Sequence, residues 1–241
     1  MKEKTENRDK ILIAAKKEFS EKGFSGARMG AISKRAGVNQ ALLHYYFESK
    51  EKLYMELLHR LFGTNKSLSF QEVLDTEKLS PPEALYSAIY LLVNIHFNAS
   101  DPEFNRIIAR EITEERDSLK SIMKDYFVPA INSMEEIIIK GQKDGYFETE
   151  NPLFTVLQMI SFILSFQSNR ETYSETGLYE KLSGKNITRD LFDFLVDHTF
   201  KALSPQDKRG DIPAVSADLI QSLDRVVENI REGLEWREEE H

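Results

Sequence analysis

The chain has 241 residues, 41% hydrophobic and 10% aromatic, enough apolar material for one large or two modest folded domains and too much for a disordered polymer. It contains no cysteine, which excludes disulfides, thiolate nucleophiles and cysteine-ligated metal centres. The net charge of −8 is unevenly spread: residues 1–63 hold 13 Lys/Arg against 8 Asp/Glu, whereas residues 64–241 hold 19 against 32, so a basic head sits on an acidic body.

That asymmetry matters because DNA affinity follows the local potential at the phosphates rather than the total charge. The opening MKEKTENRDK is charged, with no apolar stretch of signal-peptide length behind it. The longest apolar run, Val156 to Phe166, is broken by Gln158 and two serines and falls short of the roughly 18 residues a membrane helix needs. A cytoplasmic chain without a membrane partner is expected.

In chain order, residues 8–22 place Ile11, Leu12, Ala15 and Phe19 on one helical stripe, which Gly23 ends. Met29 to Ala36 forms a short helix with Ile32 and Ala36 on one face, stopped by Gly37. Asn39, a good N-cap, opens a third helix through Leu42, Leu43, Tyr46 and Phe47. Ser49 caps a fourth, with Leu53, Leu57, Leu58 and Leu61 on its apolar face. Residues 64–80 are polar and mixed. Pro81-Pro82 opens a long helix to Asn98, and Asp101-Pro102 another to about Glu115. Residues 117–143 are amphipathic, with a kink expected at Pro129. Helices follow over 153–169 and 188–203, separated by a Gly/Ser/Lys-containing loop at 174–186, and a last amphipathic stretch covers 213–237. No convincing strand pattern and no internal repeat occur. The fold class is all-α: an N-terminal three-helix domain with a helix-turn-helix over 1–63 (linking helix from 49), a larger helical domain over 64–205, and a C-terminal helical extension over 206–241.

The informative stretch is Met29 to Lys50. Two short helices cross steeply only if the turn between them accepts a positive φ, which Gly37 does at low cost. Ile32, Ala36, Val38 and Leu43 supply the apolar contact between them. Gln40, Ala41, Leu42, His44 and Tyr45 then face outward, toward a major groove. Gln40 suits an adenine edge, and Ala41 or Leu42 a thymine methyl. Arg28, Met29 and Tyr46 flank this surface. Lys50, at a helix N-terminus, suits a phosphate.

At these residues the chain resembles the TetR/AcrR family of bacterial regulators. The family pattern "F-x-x-x-G-F", followed by "I-x-x-x-A-G-V-x-x-x-x-L-x-x-Y-F-x-x-K-x-x-L", falls on Phe19, Gly23, Phe24, Ile32, Ala36, Gly37, Val38, Leu43, Tyr46, Phe47, Lys50 and Leu53. Ser33, Leu42 and His44 depart from the residues common there. The resemblance implies a one-component transcriptional regulator, by base rate a repressor, that binds double-stranded operator DNA as a homodimer and is released by a small-molecule effector.

The resemblance also implies a dimer interface in the last two helices of the second domain, for which Phe154, Leu157, Ser161, Leu164, Leu191, Leu195 and Thr199 are candidates. The implied effector pocket directs attention to His96, Arg110, Met123, Phe127, Gln158, Phe162 and Phe166; Arg110 also reads as part of an intrahelical ion pair and the others as ordinary core. The 213–237 helix can fold back on its own domain, pack on a partner subunit or bind something else. No Gly-rich phosphate loop, nucleophile elbow or H-E-x-x-H run occurs, and the five histidines are scattered, so neither an enzyme, a cofactor nor a metal site is expected.

Overall fold

A computed structural model describes residues 2–63, 78–98, 101–114, 117–182, 186–205 and 212–234. The helices are α1 (Lys2–Gly26), α2 (Met29–Arg35), α3 (Gln40–Phe47), α4 (Lys50–Gly63), α5 (Pro81–Phe97), α6 (Pro102–Glu114) and α7 (Asp117–Ile122). After a π-helical turn at Met123–Phe127 come α8 (Val128–Lys143), α9 (Pro152–Ser168), α10 (Arg170–Glu175), α11 (Leu178–Leu182), α12 (Ile187–Leu203) and α13 (Ala217–Leu234). The described residues contain no strand. No helix among them is long and apolar enough to cross a membrane.

The chain divides into two compact units. The first combines α1–α4 with residues 101–125, and the second is built around α5 and the helices from α8 to α13. Residues 101–125, expected in the second domain, thus return to the unit of the N-terminal helices. In that unit Ile11, Leu12, Ala15 and Phe19 of α1 are buried, as are Leu53, Leu57, Leu58 and Leu61 of α4. Gly23 breaks α1 with φ 69° and ψ 174°, a conformation essentially restricted to glycine. Helix α6 starts at Asp101, whose Oδ1 accepts from the amides of Glu103 (2.7 Å) and Phe104 (3.3 Å), and it packs along α1. The buried carboxylate of Glu111 accepts the Tyr54 hydroxyl at 2.7 Å and a second bond from Ser118, tying α6 to α4 and α7. Lys16 pairs with Asp101 and lies 3.8 Å from Glu103.

In the second unit Ser80 and Glu83 cap the start of α5: Glu83 accepts from the Ser80 amide at 2.9 Å and the Ser80 hydroxyl at 2.6 Å. These bonds hold the Glu83 carboxyl below the usual carboxylate range. The core joins Leu85, Ile89 and Val93 of α5 to Ile137 and Ile138 of α8, Met159 and Ile163 of α9, and Leu195 and Phe200 of α12. Gly141 is required on steric grounds, since a Cβ there would stand 2.1 Å from the Phe147 ring.

Several expectations change here. The kink expected at Pro129 takes the form of the π-helical turn just before it, where the missing proline N–H leaves the regular ladder incomplete. The stretch expected as a loop over 174–186 contains α11, with residues 183–185 outside the described residues. The last helix turns its stripe of Leu223, Val226 and Ile230 inward, and the Tyr90 hydroxyl of α5 bonds Asp224. Loss of hydration and that carboxylate raise the Tyr90 phenol above its ordinary range. Of the three readings of this stretch, the structure thus takes the one that folds back on its own domain. The end expected as residues 235–237 lies outside the described residues.

Candidate nucleic-acid interface

Helix α3 is built by local signals. Asn39 is extended (φ −75°, ψ 154°), and its Oδ1 accepts from the Leu42 amide at 2.7 Å, satisfying a free donor of the first turn. Leu43 and Phe47 are buried and anchor one side of the helix, and Ile32 of α2 is buried as well. Gly37, with φ 68°, makes the turn from α2. At its far end α3 stops at Glu48, a non-glycine residue with φ 57°, and Ser49 caps α4 by accepting from the Lys52 amide at 3.1 Å.

Buried anchors at 43 and 47 leave Gln40, Ala41, His44 and Tyr45 exposed on the opposite side. Tyr45 is 69% exposed and meets Tyr46 edge to face, centroids 5.5 Å apart. Leu42 and Tyr46 lie half-buried on the flanks of this face. His44 Nδ1 is 3.2 Å from the Glu48 carbonyl. A carbonyl only accepts, so Nδ1 carries the proton and Nε2 is turned to partners beyond the helix. A Cβ at Gly30 would lie 3.8 Å from Gln40 Oε1, so the start of α2, with exposed Arg28 and half-buried Met29, adjoins the first turn of α3. Among the described residues neither Arg28 nor Lys34 is drawn into an ion pair, whereas Arg35 is held by Glu21 at 3.1 Å and Glu18 at 3.5 Å. The surface therefore offers an amide, a methyl, an imidazole, a phenol and a cation, the groups that read base edges and bind phosphates.

Lys50 is engaged within the protein. Its Nζ donates to the carbonyls of Phe24 (2.9 Å) and Ala27 (3.1 Å) and stands 4.6 Å from the centroid of the Phe24 ring. Two of its three donors are committed inside the protein, which the start of α4 by itself did not reveal. Arg110 likewise lies in the first unit, on α6, where it donates to the Glu21 carbonyl at 3.1 Å.

The remaining pocket candidates do not converge. Phe166 is buried in the core of the second unit, 5.9 Å from Phe97. Gln158 is exposed and Phe162 is 40% exposed, so both face outward. Met123 and Phe127 are half-buried at the two ends of the π-helical turn. His96 bonds the Leu92 carbonyl through Nδ1 at 2.7 Å, and burial lowers its pKa below 6.5. An open groove of about 570 Å³ runs between α5 and α13, lined by Asn94, Phe97, Asn98, Asp224, Val227, Glu228 and Arg231 and by none of the expected pocket residues.

The interface candidates split by helix. On α9 Phe154 is 69% exposed, Leu157 and Ser161 are exposed, and Leu164 is half-buried. On α12 Leu191, Leu195 and Thr199 are all buried in the unit's own core and present no surface. The exposed residues of α12 include Phe194 and His198, which stack 5.7 Å apart, and Phe194 reaches Phe162 of α9 at 5.8 Å. An apolar ridge thus crosses from α9 to α12 through Phe162 and Phe194. Its α12 half was missed because the most apolar row of that helix belongs to the core.

Residues 11–57 match the model of bacterial regulatory proteins of the tetR family, and residues 81–198 match a tetracyclin repressor-like C-terminal domain. The chain is 30% identical over 203 residues to the HTH-type transcriptional repressor NicS of Pseudomonas putida, an alignment covering 81% of this chain and 92% of that one. It is 28% identical over 162 residues to the probable HTH-type transcriptional regulator YttP of Bacillus subtilis, covering 67% and 77% respectively. Among solved structures it is similar to HlyIIR, a hemolysin II transcriptional regulator, with a TM-score of 0.58 and 27% identity over 80% of this chain and 99% of that chain.

Proposed function

The chain belongs to the TetR family of bacterial regulatory proteins, DNA-binding transcriptional regulators rather than enzymes, and we propose that it is a homodimeric repressor that reads its operator with the exposed face of α3. Gln40, Ala41, His44 and Tyr45 enter the major groove, Leu42 and Tyr46 border it, and Arg28 and Met29 meet the adjoining backbone. The observation that carries this reading is that buried Leu43 and Phe47 fix which side of α3 is free, with side chains suited to base edges all on that side.

The second copy covers the ridge of Phe154, Leu157, Phe162 and Phe194, a contiguous apolar surface of the kind that marks an interface. Two copies related by a twofold axis place two α3 helices on successive turns of one duplex face, which supplies specificity that one eight-residue helix lacks. Repression accords with the named role of NicS. A small-molecule effector, typical of the family, binds in the second unit, where His96, Phe127 and Phe166 remain the candidate contacts.

Selection from a random-sequence duplex pool tests this reading. The expected motif has two inverted half-sites whose centres lie about 34 Å apart or a multiple of that. Tyr45→Ala should weaken binding to the recovered duplex by about 1–3 kcal/mol while leaving the melting temperature unchanged. A variant that binds that duplex like the wild type would remove α3's outer face from the reading.

A further inference from the structure

The break of α1 at Gly23 creates an electrostatic requirement. A helix end leaves carbonyls without amide partners and carries the negative end of the helix dipole, so it favours cations. Lys22 stands just before the break, and the turn that follows it to Gly26 contains no basic residue. Both cations that serve it come from elsewhere in the chain. Arg110 of α6 donates to the Glu21 carbonyl at 3.1 Å, and its guanidinium takes up the space over Gly23, where a Cβ would stand 2.7 Å from Nη1. Lys50 of α4 donates to the Phe24 and Ala27 carbonyls and stands over the Phe24 ring, which packs on Tyr54 at 5.1 Å. Arg28 and Met29, where α2 begins, follow Ala27 directly.

We infer that Lys50 and Arg110 form a two-cation clamp that positions the helix-turn-helix for DNA reading, rather than contacting a phosphate or an effector. The carbonyls they hold, at 21, 24 and 27, span the whole turn from α1 to α2. The direction in which α2 departs sets that of α3, which packs on it. A small swing of the turn is magnified at Tyr45, on the far side of α3, and base contacts tolerate little misplacement. This inference rests on the reading face proposed above, and the two fail separately: Tyr45→Ala tests the face, and the clamp variants test the clamp.

Lys50→Met and Arg110→Met keep the apolar stems and remove the donors. Their binding to the duplex recovered by selection, and to a scrambled duplex of equal length, is measured by fluorescence anisotropy across a salt series, well below each variant's melting temperature. The clamp predicts a loss of roughly tenfold or more on the selected duplex, little change on the scrambled one, and an unaltered slope of log affinity against log salt. A direct role at the DNA backbone would instead weaken both duplexes and lower the slope by about 0.9 for each phosphate no longer neutralised, which overturns the inference. So does a lower melting temperature with unaltered affinity of the folded variant, the mark of a purely structural role. Should Lys50→Met fail to fold, Phe24→Leu removes the ring beneath the ammonium while leaving both carbonyls. Reduced affinity for the selected duplex at constant salt slope is expected there, and wild-type affinity contradicts the clamp.

Discussion

Helices α3 and α12 are both amphipathic, yet their outer faces differ in how openly they are written. In α3 two large buried side chains, Leu43 and Phe47, lie four residues apart, and the opposite side carries Gln40, His44 and Tyr45. One row is apolar, the other mixed, and the inward side is decided by hydrophobicity alone. In α12 the inward row is Leu191, Leu195, Thr199 and the outward row centres on Phe194 and His198. Both rows are credible faces for burial. A helix that serves a core on one side and presents an apolar ridge on the other cannot be oriented by its own periodicity, because either side gains free energy on leaving water.

The contrast can be broken most severely inside the second unit. Leu195→Ala should cost about 2–5 kcal/mol in chemical denaturation, because it opens a cavity among Leu85, Ile138 and their neighbours. Its sequence neighbour Phe194, 53% exposed, should tolerate alanine with little change in the stability of the unit. Phe194→Ala should instead shift sedimentation from about twice 27.9 kDa toward the monomer mass. If the two substitutions exchanged these outcomes, the orientation of α12 would be inverted.

A smaller effect separates two glycines of the first unit. Gly37→Ala meets no atom within 4 Å and should cost about 1–2 kcal/mol for its positive φ alone. Gly23→Ala should cost more, about 1–3 kcal/mol for the backbone, and should also displace the Arg110 guanidinium. Gly23→Ala is therefore expected to lose selective DNA binding beyond what its thermal melt accounts for, unlike Gly37→Ala. Equal melting temperatures for the two variants would remove the special conformation at Gly23.

The smallest effect is a pH dependence. Burial holds the folded pKa of His96 below 6.5, so the unfolded chain takes up the proton first as pH falls. This contribution is fully favourable above pH 6.5 and is lost progressively as pH drops through that value toward the folded pKa. The wild type should lose more melting temperature between pH 7.5 and 5.5 than His96→Gln does. Parallel losses would show that His96 does not stay neutral in the fold.

Legibility in the sequence followed the range of the interaction. Asn39, Ser49 and Asp101 as caps and Gly37 as a turn were readable because each acts on amides two or three residues away. The helical content and the outward side of α3 followed from periodicity. The pocket candidates were less readable, since Gln158 and Phe162 share a helix with Met159 and Phe166 but face the other way. Arg110 gave no sign that its partner is a carbonyl 89 positions earlier.

From sequence alone came the all-α class, the helix-turn-helix with its turn and caps, and the exposed face of α3, because local sterics and hydrogen bonds settle these within a few residues. Only the tertiary structure decided that residues 101–125 return to the DNA-binding unit, that Lys50 and Arg110 serve the carbonyls of α1, and which row of α12 is buried. Each of those outcomes is a competition among partners remote in sequence, and the winner is set by which surfaces the packed core brings within a few ångströms.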